Sequence, residues 1–167
     1  TDDEIFSAAD EMLGKTLVTH QTGPQGKICS RLYIEAGTDI DREIYFSLVV
    51  DRAHERVVLI ASAEGGMEIE ELAESNPDAI LKVYVETAVG MLDFQARELA
   101  FALNIPKSAM SQAVATIKGC YRAMIELDAN MVEINPLVIT KAGNLIALDA
   151  KMGFDENALY RQQRIGE

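Results

Sequence analysis

Basic residues are scarce in this sequence: 15 Lys plus Arg stand against 27 Asp plus Glu, a formal net charge of −12 over 167 residues. A surface of that sign repels phosphate backbones and anionic headgroups, which disfavours roles on nucleic acid or at a membrane surface. The exclusion concerns polymers, because a local pair of oxygen ligands can hold Mg²⁺ and the metal then faces phosphate. Cysteine is nearly absent too. Cys29 and Cys120 are the whole complement, without C-x-x-C spacing or a neighbouring His. That argues against zinc or a redox pair and for reduced thiols in a cytosolic protein. No apolar run approaches the roughly 20 residues that cross a bilayer, and the start carries no signal-like segment. The first residue is Thr1 rather than Met. Thr1 and Glu4 form a capping box that opens a helix at once, a start expected of a chain processed or cut from something longer.

What is present, 49% hydrophobic and 25% charged residues, suits one soluble compact unit with a sizeable core. Apolar positions at helical spacing predict a helix from Glu4 to Leu13, stopped by Gly14. Runs Lys15 to Thr22 and Lys27 to Glu35, around Gly23, Pro24 and Gly26, predict a hairpin. Arg42 to Val50 and Arg56 to Ala63 predict a stronger one. A short acidic helix over Ile69 to Ala73 and a strand over Ile80 to Glu86 follow. Two helices, Asp93 to Leu103 and Lys107 to Glu126, come next, the second with an apolar stripe of Ala113, Ile117, Tyr121, Met124 and Ile125. Strands Met131 to Thr140 and Asn144 to Lys151 and a short helix near Glu156 to Gln163 complete the chain. Strands early and late with helices between them predict an α+β fold with a mostly antiparallel sheet.

The stretch richest in chemistry is the last predicted hairpin. A three-residue loop, Lys141-Ala142-Gly143, pairs Thr140 with Asn144. Counting back sets Asn135 opposite Asp149 and Glu133 opposite Lys151. Strand alternation then puts all four on one face, with Leu137, Ile139, Leu145 and Ala147 nearer the turn on the same face. A carboxylate beside an amide carbonyl suits Mg²⁺, so Asn135 and Asp149 are metal candidates. The plainer alternative is a Glu133–Lys151 cross-strand ion pair with Asn135 and Asp149 simply solvated. Glu35, Thr38 and Glu43 cluster around Gly37; such acceptors can hold an adenine amino group or a ribose hydroxyl, although an acidic surface turn would read the same. Glu64-Gly65-Gly66 reads as a strand stop. His20 and His54 have no constellation for nucleophilic catalysis around them.

Several segments in order resemble one family. They are Leu13 to Thr19, Glu35-Ala36-Gly37-Thr38-Asp39-Ile40, Val49 to Arg52, Ala61 to Glu70, Arg97 to Phe101, Glu133-Ile134-Asn135-Pro136-Leu137 and Leu148 to Gly153. Together they are similar to the β subunit of succinate–CoA ligase, and the malate–CoA ligase β subunit is similar too. The resemblance implies an ATP-grasp module. Glu35, Thr38 and Glu43 would contact the nucleotide, ATP/ADP or GTP/GDP, and Asn135 and Asp149 would ligate Mg²⁺. Glu133 would steady a phosphohistidine carried by a partner α subunit. The implied reaction joins an acid to CoA at the expense of a nucleoside triphosphate, through an acyl phosphate and phosphohistidine, in the bacterial cytoplasm or the mitochondrial matrix. The family's early Lys, its Gly-Arg-Gly-Lys phosphate loop and its CoA-binding lobe have no counterpart here. The whole of 1–167 therefore reads as a central part of the grasp domain, inactive as a ligase by itself. The alternative from another class is a non-catalytic grasp-fold assembly module, for which the acidic helix of Glu68, Glu70, Glu71 and Glu74 would matter.

Overall fold

The computed structural model of the chain describes residues 1–19 and 22–165, and His20 lies outside them. Its contacts divide the chain into two units, Thr1–Gly37 and Thr38–Glu167, where the sequence predicts one. The first contains α1 (Asp2–Met12), β1 (Thr16–Leu17) and β2 (Lys27–Ile28). Glu4 accepts hydrogen bonds from the Thr1 amino group at 2.6 Å and the Thr1 hydroxyl at 3.0 Å. β1 and β2 pair antiparallel, Thr16 opposite Ile28. The predicted hairpin forms but stops after two residues per strand. Val18, Ile28, Tyr33 and Ile34, among the apolar residues that predict longer strands, stay exposed.

In the second unit, β3 (Ile40–Asp51) and β4 (Arg56–Ser62) form the strong hairpin, with Asp51 opposite Arg56. Asp51 Oδ1 accepts from the backbone of Ala53 and His54 at 2.9 and 3.2 Å, which fixes the turn. The next elements are α2 (Ile69–Ser75), a 3₁₀ turn at Pro77–Ala79 and β5 (Leu81–Val85). They are followed by α3 (Asp93–Ala102), a 3₁₀ turn at Lys107–Ala109 and α4 (Met110–Glu126). The chain then runs through β6 (Ala129–Thr140), β7 (Leu145–Ala147), β8 (Ala150–Phe154) and a 3₁₀ segment at Glu156–Arg161. The sheet order is β5-β4-β3-β6-β7, with β8 also on β6. Every pairing is antiparallel, as the α+β reading predicts.

The core lies on one face of this sheet. Ile44, Phe46 and Leu48 of β3 and Leu59 and Ala61 of β4 form one buried cluster with Ala96, Leu99 and Ala100 of α3 and Ala113, Ile117 and Met124 of α4. Burying a large apolar side chain of this kind contributes about 1.5–3 kcal/mol, so these positions hold the two helices on the sheet. Within the predicted α4 stripe, Ile125 departs: it is 52% exposed. The opposite face of β3 carries Tyr45 and Ser47, both buried although polar.

β6 departs from the predicted pattern in two ways. The β3–β6 register shifts between Ile44–Leu137 and Phe46–Ile134, so Asn135 and Pro136 together face the single residue Tyr45. This is a bulge, and the Asn135–Pro136 peptide is cis. Alternation therefore changes phase there: Val132 and Ile134 enter the core cluster before the bulge, Leu137 and Ile139 after it. Glu133 does not share a face with Leu137 and Ile139, contrary to the unbroken count. The strand predicted over Asn144 to Lys151 is likewise two strands, interrupted at Leu148 and Asp149 opposite the bulge.

Candidate functional site

The site grows from the bulge. The register counted from the Gly143 turn is the one observed: Ile139 pairs with Leu145, Leu137 with Ala147 and Glu133 with Lys151. Between these pairs Asn135 N–H donates to the Asp149 carbonyl at 3.3 Å, and Leu148 N–H to the Pro136 carbonyl at 3.2 Å. Asn135 and Asp149 are thus held side by side by backbone bonding.

The Asn135 side chain is occupied on both ends. Its Oδ1 accepts from Gly66 N–H at 3.0 Å, and its Nδ2 donates to the Met67 carbonyl at 3.0 Å. The Gly65-Gly66 pair follows the end of β4 at Ser62, as expected of a strand stop, and in addition lies as a loop on the start of β3. A Cβ on Gly65 would lie 2.5 Å from Ile44 N, and one on Gly66 would lie 2.0 Å from Glu43 Oε2. Gly66 also has φ +75°, a conformation open to glycine. Glu43, Gly66, Asn135 and, through its backbone, Asp149 therefore form one group. The signal was present as Gly-Gly after a strand, but the backbone it touches is unreadable until β3 is placed.

As a cation site the donor set is small and hard. Asn135 Oδ1 keeps a second lone pair after accepting from Gly66, and the exposed Asp149 supplies a carboxylate. Two such oxygens fit an ion that fills the rest of its shell with water and phosphate, as Mg²⁺ does. They do not make a closed cage, and among the described residues no group of three or more His, Cys, Asp or Glu converges on one point.

Of the nucleotide candidates, Thr38 and Glu43 belong to the second unit and are half-buried, whereas Glu35 belongs to the first and is exposed. The chain entering β3 is anchored to the β6–β7 turn, where Lys141 N–H donates to the Asp39 carbonyl at 3.0 Å and Lys141 Nζ pairs with Asp39 Oδ1 at 2.7 Å. Glu133 makes no ion pair with Lys151 among the described residues. Its Oε2 instead accepts from the Tyr45 hydroxyl at 3.0 Å. Burial, chiefly, and then the Glu133 carboxylate push the Tyr45 phenol up to about 12, against an opposing effect of the adjacent Ser47 hydroxyl. Tyr45 went unnoticed in the sequence because its partner lies 88 residues away. His54 serves its turn, with Nδ1 2.8 Å from Asp51 Oδ2 and its ring 4.7 Å from that of Tyr84. Both cysteines are free, and burial raises the Cys120 thiol to about 11, the opposite of an activated thiolate.

Residues 1–139 match the family model described as ATP-grasp domain. The chain belongs to the ATP-grasp family. It is 56% identical over 167 residues to "Succinate--CoA ligase [ADP-forming] subunit beta" of Bacillus velezensis, covering 100% of this chain and 43% of that protein. It is 55% identical over 166 residues to "Probable malate--CoA ligase subunit beta" of Mesorhizobium japonicum, covering 99% of this chain and 42% of that one. The ATP-grasp chain here thus spans less than half the length of these relatives. Among solved structures, ATP citrate lyase of Methanothrix soehngenii superposes with a TM-score of 0.68 at 18% identity, over 97% of this chain and 35% of that one. At that identity the likeness concerns the fold, and it agrees with the antiparallel sheet and packed helices. No helix among the described residues is long and apolar enough to cross a membrane.

Proposed function

We propose that this ATP-grasp chain is the nucleotide- and metal-binding part of the β subunit of an acid–CoA ligase, and that it works with an α subunit carrying a phosphohistidine. Succinate is the favoured acid and malate the alternative, following the names of the relatives at 55–56% identity. The observation that carries the reading is the junction at the bulge, where Asn135 and Asp149 lie side by side and the Gly65-Gly66 loop lies against Glu43. In this reading the chain is a central part of the grasp domain, with the phosphate loop and the CoA lobe supplied by other segments of the protein.

Asn135 Oδ1 and an Asp149 carboxylate oxygen would hold Mg²⁺, with ATP/ADP or GTP/GDP phosphates completing its shell. Bound there, the cation offsets charge on the phosphoryl group as it transfers. Glu35, Thr38 and Glu43 supply acceptors for nucleotide amino and hydroxyl donors. The Asn135 amide also pins the loop at Gly66 and Met67, so one side chain both presents an oxygen and orders the backbone beside it. Glu133, at the β6–β8 pairing next to the bulge, presents its carboxylate to the α-subunit imidazole, whose N–H it would accept. Most of such a phosphoryl transfer is positioning and charge compensation, which is what these residues provide.

The test uses the full-length β subunit with its α subunit and Mg-ATP labelled in the γ-phosphate. Asp149→Ala is expected to slow labelling of the α-subunit His at least about 100-fold and to weaken Mg-ADP binding in calorimetry. Unchanged labelling and unchanged affinity together would overturn the assignment.

A further inference from the structure

We propose that Tyr45 is a positioning residue for Glu133: its buried hydroxyl holds one carboxylate oxygen and thereby aims the other at the phosphoryl acceptor. The inference rests on the role given to Glu133 above and names the group that sets its orientation.

The geometry follows from register. Ser47 and Glu133 are direct cross-strand partners of β3 and β6, so their side chains leave the same face. Tyr45 is two residues from Ser47 on β3 and shares that face. Tyr45 is 4% exposed, and its hydroxyl donates to Glu133 Oε2 at 3.0 Å. An O–H donor to an ionised oxygen makes a charge-assisted bond, stronger and more directional than a neutral one. A phenol at the end of a packed ring has little freedom to follow a moving partner, so the carboxylate is the group that is fixed. Glu133 itself is only half-buried, and Oε1 keeps its lone pairs for an incoming N–H.

A structural role for Tyr45 would need only some partner for its buried hydroxyl. The neighbouring Ser47 offers one. That hydroxyl is 1% exposed and makes no hydrogen bond of good geometry. The phenol nevertheless reaches across the strand pair to the carboxylate. Lys151, opposite Glu133 on β8, makes no ion pair with it among the described residues. The Tyr45 bond is therefore what holds the carboxylate in one orientation.

The experiment measures single-turnover phosphorylation of the α subunit by Mg-ATP in the complex with the full-length β subunit. Tyr45→Phe is expected to slow the transfer about 10- to 100-fold while leaving Mg-ADP affinity at the wild-type value. Glu133→Asp, which keeps the charge but shortens the reach to Tyr45, is expected to lose a comparable factor. In Glu133→Gln, adding Tyr45→Phe should cause no further loss. Wild-type transfer in Tyr45→Phe, or an equal loss from Tyr45→Phe with and without Glu133→Gln, would overturn the positioning role alone. Wild-type transfer in Glu133→Gln would overturn both it and the reading of Glu133 on which it rests.

Discussion

The Asn135 side-chain amide bridges two consecutive residues of a distant loop, accepting from Gly66 N–H and donating to the Met67 carbonyl, each at 3.0 Å. Loop and bulge thus order each other. The loop can lie on β3 because Gly65 and Gly66 have no Cβ, and the bulge can present an amide because one extra residue turns β6 out of phase.

The amide bridge makes a direct prediction. Asn135→Ala removes two hydrogen bonds and leaves a backbone donor and acceptor to find water, a loss of about 1–2 kcal/mol. Urea unfolding followed by tyrosine fluorescence measures that loss. Amide hydrogen exchange at Gly66 should accelerate more than exchange in the middle of β3, and equal protection of Gly66 in both proteins would show that the bridge does not order the loop.

The two glycines should respond differently to alanine. At Gly65 a Cβ would meet the backbone of Ile44 and Glu43 at 2.5–2.8 Å, atoms that cannot rotate away, so Gly65→Ala should cost about 2–3 kcal/mol. At Gly66 the nearest atom is the end of a flexible Glu43 side chain, and the main penalty is the positive φ, about 1–2 kcal/mol. Thermal midpoints of the two variants should fall in that order.

Strong acid should loosen the end of the chain at Asp128. This residue follows α4 with φ +53°, and its carboxylate accepts from Arg161 Nε and Gln162 Nε2 at 2.8 Å each. Those bonds, the Arg161 one foremost, lower its pKa from the ordinary 3.8 to about 2. A depressed carboxylate pKa means that stability is fully present above 3.8 and is lost as pH falls toward 2. Asp128→Asn tolerates the left-handed backbone and removes the titration. Its urea midpoint should therefore change less between pH 4 and pH 2 than that of the wild type.

The sequence made some of this legible and hid the rest for physical reasons. A short loop with a glycine at its end fixes hairpin register locally, so Asn135 beside Asp149 and Glu133 beside Lys151 could be counted without knowing the fold. Pro136 inside the strand is the sign in the sequence that alternation breaks there. Tyr45 and Glu133 join segments that only the sheet order brings together, whereas Gly65 meets Ile44 at the open end of the β3–β4 hairpin that the sequence predicts. Strand alternation places Tyr45 and Ser47 on one face but says nothing about which strand lies alongside. The short strands of the first unit failed differently: propensity alone does not lengthen a hairpin whose apolar residues, Val18 and Ile28 among them, stay exposed.

Two isoleucines of α4 that share the periodic stripe sit in different surroundings. Ile117 is 2% exposed and belongs to the core cluster with Leu99 and Phe46, whereas Ile125, eight residues on, is 52% exposed. Eight residues at 3.6 per turn leave the two side chains about 80° apart around the axis, and the sheet covers the Ile117 side more fully. Truncating Ile117 to Ala opens a cavity in close-packed surroundings and should cost about 2–5 kcal/mol. Ile125→Ala removes a half-solvated side chain from a good helix position and should stay within about 0.5 kcal/mol of the wild type. Paired urea titrations decide the matter: a loss at Ile125 as large as that at Ile117 would mean that another surface covers this end of α4 in the folded protein.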